Sequence, residues 1–157
     1  MKTIITFFFL TLFLTSCDKH REICCDIVDT AIEVSVLKKD TNIDLLNQNQ
    51  PGHYVFGDIA LEYASANNQK WPINLMPYNK PLLFQQNGKY YMRVFASMHE
   101  SPGDINKVKI YWTDNDVDVI TFHIKNDKTM SITEKILVND KLMWTQADGE
   151  RVITILK

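Results

Sequence analysis

The chain has 157 residues, of which 45% are hydrophobic and 23% are charged, and its formal net charge at pH 7 is −2. This length is sufficient for one domain with its own hydrophobic core. A slightly acidic balance without any polybasic run argues against nucleic acid as a partner.

The first sixteen residues have the pattern of a bacterial lipoprotein signal peptide. Lys2 supplies a short positive start, and an apolar run extends from Ile4 to Leu14. As a helix this run would be about 16 Å long, roughly half the hydrocarbon thickness of a bilayer, so a permanent membrane span is disfavoured. The pattern instead predicts a signal peptide, residues 1–16, that is cleaved.

Cys17 follows Leu14-Thr15-Ser16, a sequence that matches the lipobox used in bacterial lipoprotein processing. We predict that Cys17 is lipidated, because this pathway requires a thiol at that position to receive diacylglycerol. More than one acyl chain makes such an anchor stable. The protein would then be attached to the cell envelope, with the outer membrane favoured and its periplasmic or surface side left open. A conventional secretory signal followed by an incidental cysteine is the alternative.

Residues 17–26 form a short segment of mixed charge, predicted to be a tether between the lipid and the folded domain. The adjacent pair Cys24-Cys25 has several interpretations. It could be a strained vicinal disulfide or, with His20, a soft metal site. Two small apolar residues at the start of the first strand, or a thiol that pairs between chains, are simpler explanations, because a metal site needs more ligands.

From residue 27 onward, apolar residues recur with a period of two, which is typical of half-buried strands. The clearest examples are Ile32–Val36, Val108–Trp112 and Ile120–Ile124. The segment from Tyr90 to Phe95 is ambiguous because both of its faces are partly apolar. No long helical pattern interrupts these segments.

The turn residues agree with the strand pattern. Asn87-Gly88 and Asp148-Gly149 each separate two apolar segments and predict hairpins. We therefore predict that residues 27–157 form a single antiparallel, immunoglobulin-like β-sandwich of about eight strands. Trp71-Pro72 and Met76-Pro77 are excluded from central strands because proline cannot donate to the ladder.

Four short segments of the predicted domain accompany the lipobox: residues 44–47, 57–63, 110–112 and 117–120. Together they resemble a group of small uncharacterised lipoproteins of certain Gram-negative bacteria. The resemblance implies an anchored β-domain and brings no activity, cofactor or catalytic residue with it. Within this resemblance, Asp44 and Asp118 would be no more than structural markers.

The sequence contains no recognised catalytic motif. The four histidines, His20, His53, His99 and His123, lie in separate segments. His99, Glu100 and Asp104 could act as acid and base, although exposed loop residues explain them more simply. We predict a protein that is not an enzyme and has no cofactor.

Two series of alternating polar residues resemble calcium loops: Asp40, Asn42 and Asp44, and Asp114, Asp116 and Asp118. Both lack the glycine at the sharp turn and the glutamate at the twelfth position that such loops require. Solvated turns are the favoured interpretation, and no metal site is predicted.

Many aromatic residues lie between Tyr54 and Trp112. Most are expected in the core, because aromatic residues are favoured in strands. Trp71 and Tyr78 are the best candidates for ligand binding because they lie in the proline-interrupted loop. We predict a non-enzymatic binding or interaction module with a possible protein partner. The alternative is a surface lipoprotein whose aromatic platform binds a carbohydrate or another envelope polymer.

Overall fold

A computed structural model of the chain describes residues 27–63, 70–72, 83–96, 105–126 and 130–157. These ranges contain eleven strands and one short 3-10 helix, Gln146–Asp148. Within them, no helix has the length and apolar character needed to cross a membrane. The predicted signal peptide and the predicted tether with Cys17 lie outside the described residues.

The strands follow one another in short segments along the chain. They are β1 (Ile27–Asp29), β2 (Ala31–Leu37), β3 (Ala60–Tyr63), β4 (Lys70–Pro72), β5 (Leu83–Gln86), β6 (Lys89–Phe95), β7 (Ile105–Thr113), β8 (Asp116–Asn126), β9 (Met130–Val138), β10 (Lys141–Thr145) and β11 (Val152–Leu156). The sequence pattern predicts about eight strands. The three-residue strands β1 and β4 are too short to show the alternation on which that prediction depends.

The strands form two sheets arranged as a β-sandwich. In the seven-stranded sheet, which we call sheet A, the order is β1-β9-β8-β7-β3-β4, and β10 also pairs with β9. In the four-stranded sheet, sheet B, the order is β11-β2-β6-β5. The all-β sandwich predicted from the sequence is therefore confirmed, whereas its immunoglobulin-like strand order stays a prediction.

Two pairs among the described strands are parallel, which differs from the fully antiparallel expectation. β1 pairs in parallel with β9, and β11 pairs in parallel with β2. The chain changes sheets at Thr30, a buried residue between β1 in sheet A and β2 in sheet B. One extended segment therefore contributes a strand to both sheets.

The two predicted hairpins have different outcomes. Asn87 and Gly88 have φ values of 51° and 78°, as a tight turn between antiparallel strands requires, and β5 pairs with β6. The hairpin predicted at Asp148-Gly149 is wrong, because β10 pairs with β9 in sheet A whereas β11 pairs with β2 in sheet B. Gly149, with φ 82°, instead ends the 3-10 helix that connects the sheets.

The hydrophobic core lies between the sheets and is formed by residues at alternate strand positions. Its fully buried members include Ile32, Val34 and Val36 of β2, Val108, Ile110 and Trp112 of β7, and Ile120 and Phe122 of β8. The ambiguous strand is also resolved, since Met92 and Val94 of β6 are fully buried. The intervening residues of β6 therefore lie on the outer face of sheet B.

Candidate functional site

The outer face of sheet B carries aromatic and charged side chains from three adjacent strands. Strand alternation places Tyr91, Arg93 and Phe95 of β6 on this face. Phe84 of β5 lies opposite Tyr91 in the strand register, and Glu33 of β2 lies opposite Arg93. The fold thus brings together residues that are up to 60 positions apart in sequence.

Phe84 and Tyr91 form a stacked aromatic pair. Their ring centroids are 5.7 Å apart and the angle between the ring planes is 26°. The guanidinium carbon of Arg93 lies 5.1 Å from the centroid of the Phe84 ring, a distance at which a cation is attracted to the face of an aromatic ring. Both rings are half-buried, so part of each remains accessible to a ligand.

Arg93 is held in place by Glu33. Its Nη2 atom lies 2.5 Å from Oε1 of Glu33, and the two side chains are 39% and 21% exposed. A guanidinium carries five N–H donors in a rigid plane, so contact with one carboxylate leaves donors for a ligand. The ion pair therefore orients Arg93 without using its full hydrogen-bonding capacity.

A cleft of about 750 Å³ lies beside this cluster, between the end of β1, the outer face of sheet B and the loop before β11. We call it the sheet-B cleft. Five charged residues line it: Asp29, Glu33, Arg93, Glu150 and Arg151. Phe95 and Val28 add apolar surface to the same cleft.

The second arginine of the sheet-B cleft is also held by a carboxylate. Nη1 of Arg151 donates a hydrogen bond to the carbonyl oxygen of Asp29 at 2.9 Å and forms an ion pair with the Asp29 carboxylate. The guanidinium carbon lies 5.6 Å from the centroid of the Trp144 ring. Both arginines of the cleft therefore combine a carboxylate contact with an aromatic contact.

These groups determine what the sheet-B cleft can do chemically. Fixed guanidinium donors, carboxylate acceptors and partly exposed rings are suited to bind a polar ligand that also has an apolar surface. The described lining residues include no His, Cys or Lys. The charged groups among them are guanidinium donors and carboxylate acceptors.

A second cluster of polar side chains is buried and centred on Asp118, which is 3% exposed. Its carboxylate accepts hydrogen bonds from Trp112 Nε1 and Asn139 Nδ2, each at 2.7 Å, and forms an ion pair with Lys157 Nζ, also at 2.7 Å. Burial raises the pKa of the Asp118 carboxyl, but the hydrogen bonds from Lys157, Trp112 and Asn139 outweigh burial and lower this pKa below 3.8. Asp118 is therefore a charged structural residue.

Asp116 connects this cluster to the loop before β3. Its carboxylate accepts a hydrogen bond from the Tyr54 hydroxyl at 2.6 Å and forms an ion pair with Lys157. The Tyr54 ring stacks on Trp112, with centroids 5.3 Å apart. Burial, together with the hydrogen bond to Asp116, raises the pKa of the Tyr54 hydroxyl. The hydroxyl therefore remains protonated and keeps donating to the carboxylate.

Three residues of the two acidic series considered for calcium binding, Asp44, Asp116 and Asp118, have structural roles. The prediction of a solvated turn is wrong for Asp116 and Asp118, since both lie in β8 and bind neighbouring side chains. The carboxylate of Asp44 accepts hydrogen bonds from the backbone N–H groups of Leu46 and Tyr90, each at 2.9 Å. Within the described ranges, no group of three or more His, Cys, Asp or Glu side chains is placed to hold a metal ion.

Of the two aromatic residues predicted to bind a ligand, Trp71 lies in β4, where its backbone is in register with Leu61 of β3. It therefore belongs to an outer strand of sheet A rather than to a loop, and it is on a different sheet from the sheet-B cleft. Tyr78 lies outside the described residues. So do Cys17, His20, Cys24, Cys25, His99, Glu100 and Asp104.

Sequence reasoning did not single out the residues of the sheet-B cleft. Alternation along β6 is a usable signal, because it places Tyr91, Arg93 and Phe95 on one face. It does not indicate which carboxylate faces Arg93. That depends on the register between β2 and β6, which only the folded structure supplies.

The sheet-B cleft is identified as a candidate binding site from its geometry alone. Comparison of the chain with family models, curated proteins and solved structures found no match. The similarity to small Gram-negative lipoproteins stays a prediction. The chain is therefore characterised by its all-β sandwich and by the groups that line its cleft.

Proposed function

We propose that the chain is a lipid-anchored protein of the cell envelope that acts as a non-enzymatic binding module, with Cys17 as its anchor and the sheet-B cleft as its ligand site. The anchor is inferred from the lipobox at Cys17, and one observation carries the choice of the ligand site. Two arginines, each fixed by a carboxylate, lie in one open cleft beside the stacked pair of Phe84 and Tyr91. Such a combination of oriented polar groups and apolar surface is typical of binding sites.

The charge arrangement favours binding over catalysis. Among the described residues of the cleft, Arg93 and Arg151 are each paired with a carboxylate, Glu33 and Asp29, and the lining contains no His or Cys. General acid–base catalysis requires a group with a pKa near the working pH within reach of the substrate. Fixed ion pairs provide recognition and orientation instead.

Crosslinking in cells tests whether the cleft is the contact surface. A photo-crosslinking amino acid at Gln86, an exposed residue that lines the cleft, is expected to yield an adduct on irradiation. The same amino acid at Asn115, an exposed residue of the turn between β7 and β8, serves as the control and is expected to yield none. Equal adducts at both positions, or none at Gln86, would remove the sheet-B cleft as the ligand site.

A carbohydrate or another envelope polymer is the second candidate ligand. The support for it is the partly accessible pair of Phe84 and Tyr91. Aromatic rings with a polar edge provide a flat apolar surface on which a sugar ring can stack. Arg93, beside the pair, would donate hydrogen bonds to hydroxyl or carboxylate oxygens of the polymer.

The substitution Tyr91→Ala is expected to weaken polymer binding by about tenfold, equivalent to about 1.4 kcal/mol. It removes one ring of the stacked pair and leaves the buried residues of β6 in place. Binding is measured by co-sedimentation with purified peptidoglycan and by affinity electrophoresis through gels that contain dextran. Thermal unfolding of each variant establishes that the domain remains folded.

Tyr111→Ala is the matched control, since Tyr111 is a half-buried tyrosine on the outer face of sheet A. It should leave polymer binding unchanged. Trp71→Ala tests the platform predicted from the sequence. If Trp71→Ala alone weakens binding, the platform belongs to sheet A, and if wild type binds neither polymer, the carbohydrate candidate fails.

A further inference from the structure

The outer face of sheet A, on the opposite side of the sandwich from the sheet-B cleft, carries lysines on three adjacent strands. Lys107 and Lys109 lie on β7, Lys125 on β8 and Lys135 on β9. The strand register places Lys107 opposite Thr121, and Lys135 opposite His123. We call this surface, formed by the four lysines and the residues between them, the lysine face.

The positive charge of the lysine face is only partly neutralised. Lys109 Nζ lies 2.6 Å from Oε1 of Glu62. The other three lysines are exposed and form no ion pair with any residue that the structure describes. Glu134 is the exposed acidic residue near Lys135. The face is therefore cationic although the whole chain has a net charge of −2.

The charge of Lys135 affects the pKa of the neighbouring His123 imidazole. Burial lowers the pKa of its imidazole, and the charge of Lys135 lowers it further, whereas Glu134 acts in the opposite direction. The sign of the Lys135 effect agrees with a positive local potential at the centre of the face. Lys135 is thus close enough to His123 for its charge to be felt at the imidazole.

Exposed aliphatic side chains accompany the lysines. Ile105 is 52% exposed, Leu142 is 54% exposed and Val117 is 37% exposed. Ile105 lies opposite His123, Val117 opposite Tyr111 and Leu142 opposite Leu137, so the three surround the lysines. Cationic and aliphatic groups on one sheet face match the two components of an interfacial binding surface, attraction to anionic headgroups and burial of apolar area.

We propose that the lysine face docks on anionic lipid headgroups of the membrane to which the protein is anchored. The inference rests on the proposed anchor at Cys17. The ten-residue tether, if fully extended, spans at most about 35 Å, and it leads into β1, which belongs to sheet A. The lipid anchor therefore keeps the lysine face within reach of the bilayer. Docking in this orientation turns the sheet-B cleft away from the membrane and towards its ligand.

The test uses the whole chain, purified in detergent from cell membranes, and lysine acylation by a water-soluble reagent. The chain is reconstituted into vesicles of phosphatidylcholine, or of phosphatidylcholine with phosphatidylglycerol, and recovered by flotation. On the anionic vesicles, acylation of Lys107, Lys125 and Lys135 is expected to fall at least about threefold relative to the neutral vesicles. Adding salt to 1 M should restore the acylation of these lysines, because the screening length for interactions between charges shortens to about 3 Å.

Two triple variants test whether the protection of Lys109 depends on the other three lysines of the lysine face. Lys107→Gln, Lys125→Gln and Lys135→Gln together should restore the acylation of the remaining Lys109 on anionic vesicles. The matched control changes three exposed lysines elsewhere, Lys38→Gln, Lys39→Gln and Lys89→Gln, and should leave Lys109 protected. Thermal unfolding establishes that both variants are folded.

Flotation separates the docking proposal from the anchoring proposal. Flotation with both kinds of vesicle and no protection by anionic lipid would show that docking is wrong while the anchor stands. Flotation with anionic vesicles alone, with protection, would show that docking stands without the anchor. Flotation with neither would overturn both. Equal protection by alginate without vesicles would assign the lysine face to an anionic polymer and overturn the lipid proposal.

Discussion

Replacing Asp118 with alanine is expected to lower the free energy of unfolding by about 3 kcal/mol. The carboxylate is 3% exposed and accepts from Trp112, Asn139 and Lys157. Its removal leaves a fully buried indole N–H without this acceptor, and it leaves the Lys157 ammonium, which is 17% exposed, with Asp116 as its remaining carboxylate partner. Breaking one side of a buried ion pair costs more than the pair itself contributes, because the remaining charge stays desolvated. Urea unfolding of the two proteins measures the difference.

Asp114→Ala is the control for this prediction, since Asp114 is an exposed aspartate in the adjacent turn. It should change stability by no more than about 0.5 kcal/mol. Equal stabilities for Asp118→Ala and Asp114→Ala would show that the Asp118 cluster does not hold the sandwich together.

The same carboxyl makes stability depend on pH. Because the pKa of Asp118 is lower in the folded chain than its ordinary value of 3.8, its contribution is complete above the unfolded pKa. That contribution is lost as the pH falls through the folded pKa. Asp118→Asn should therefore lose less stability than wild type when the pH is lowered from about 5 to about 2. Parallel losses over this range would contradict the assignment.

The substitution Cys17→Ala is expected to move nearly all of the protein from the membrane fraction to the soluble fraction. Each buried methylene of an acyl chain contributes about 0.8 kcal/mol to membrane binding, so loss of the attachment site removes most of the free energy that holds the protein at the membrane. The lysine face alone would give only reversible, salt-sensitive binding. Fractionation in high salt, followed by immunoblotting, measures the distribution.

Cys24→Ala and Cys25→Ala are matched controls, because both cysteines lie close to Cys17 in sequence. Both variants should remain in the membrane fraction. If Cys17→Ala also remains there after a high-salt wash, another part of the chain holds the protein at the membrane.

Sequence alternation was sufficient to predict the core but not the pairing of the strands. Ile110 and Phe122 are buried as the period of two requires, since side chains alternate between the faces of any strand. The parallel pairing of β11 with β2 was not predicted, because no local pattern in the sequence indicates it. The Asp148-Gly149 dipeptide has the composition of a hairpin turn, yet it follows a strand of sheet A and precedes one of sheet B. Turn composition therefore identified a change of direction without identifying the partner strand.

The candidate site was harder to predict because its members are distant in sequence. Arg93 contacts Glu33 only because of the register between β2 and β6. Arg151 contacts Asp29 because the segment before β11 lies beside the end of β1. The Asp118 cluster is a similar case. Its alternating acidic residues resemble a loop of metal ligands, but Lys157 and Asn139 from distant segments satisfy the buried carboxylate.

The mass of the N-terminal peptide of the protein extracted from membranes tests the central claim most directly. We expect a mature chain that begins at Cys17 and carries a diacylglyceryl modification, with residues 1–16 removed. Such a mass would establish the anchor on which the envelope location and the docking of the lysine face both depend. A peptide that begins at another residue, or an unmodified Cys17, would contradict the assignment of this protein as a lipid-anchored binding module.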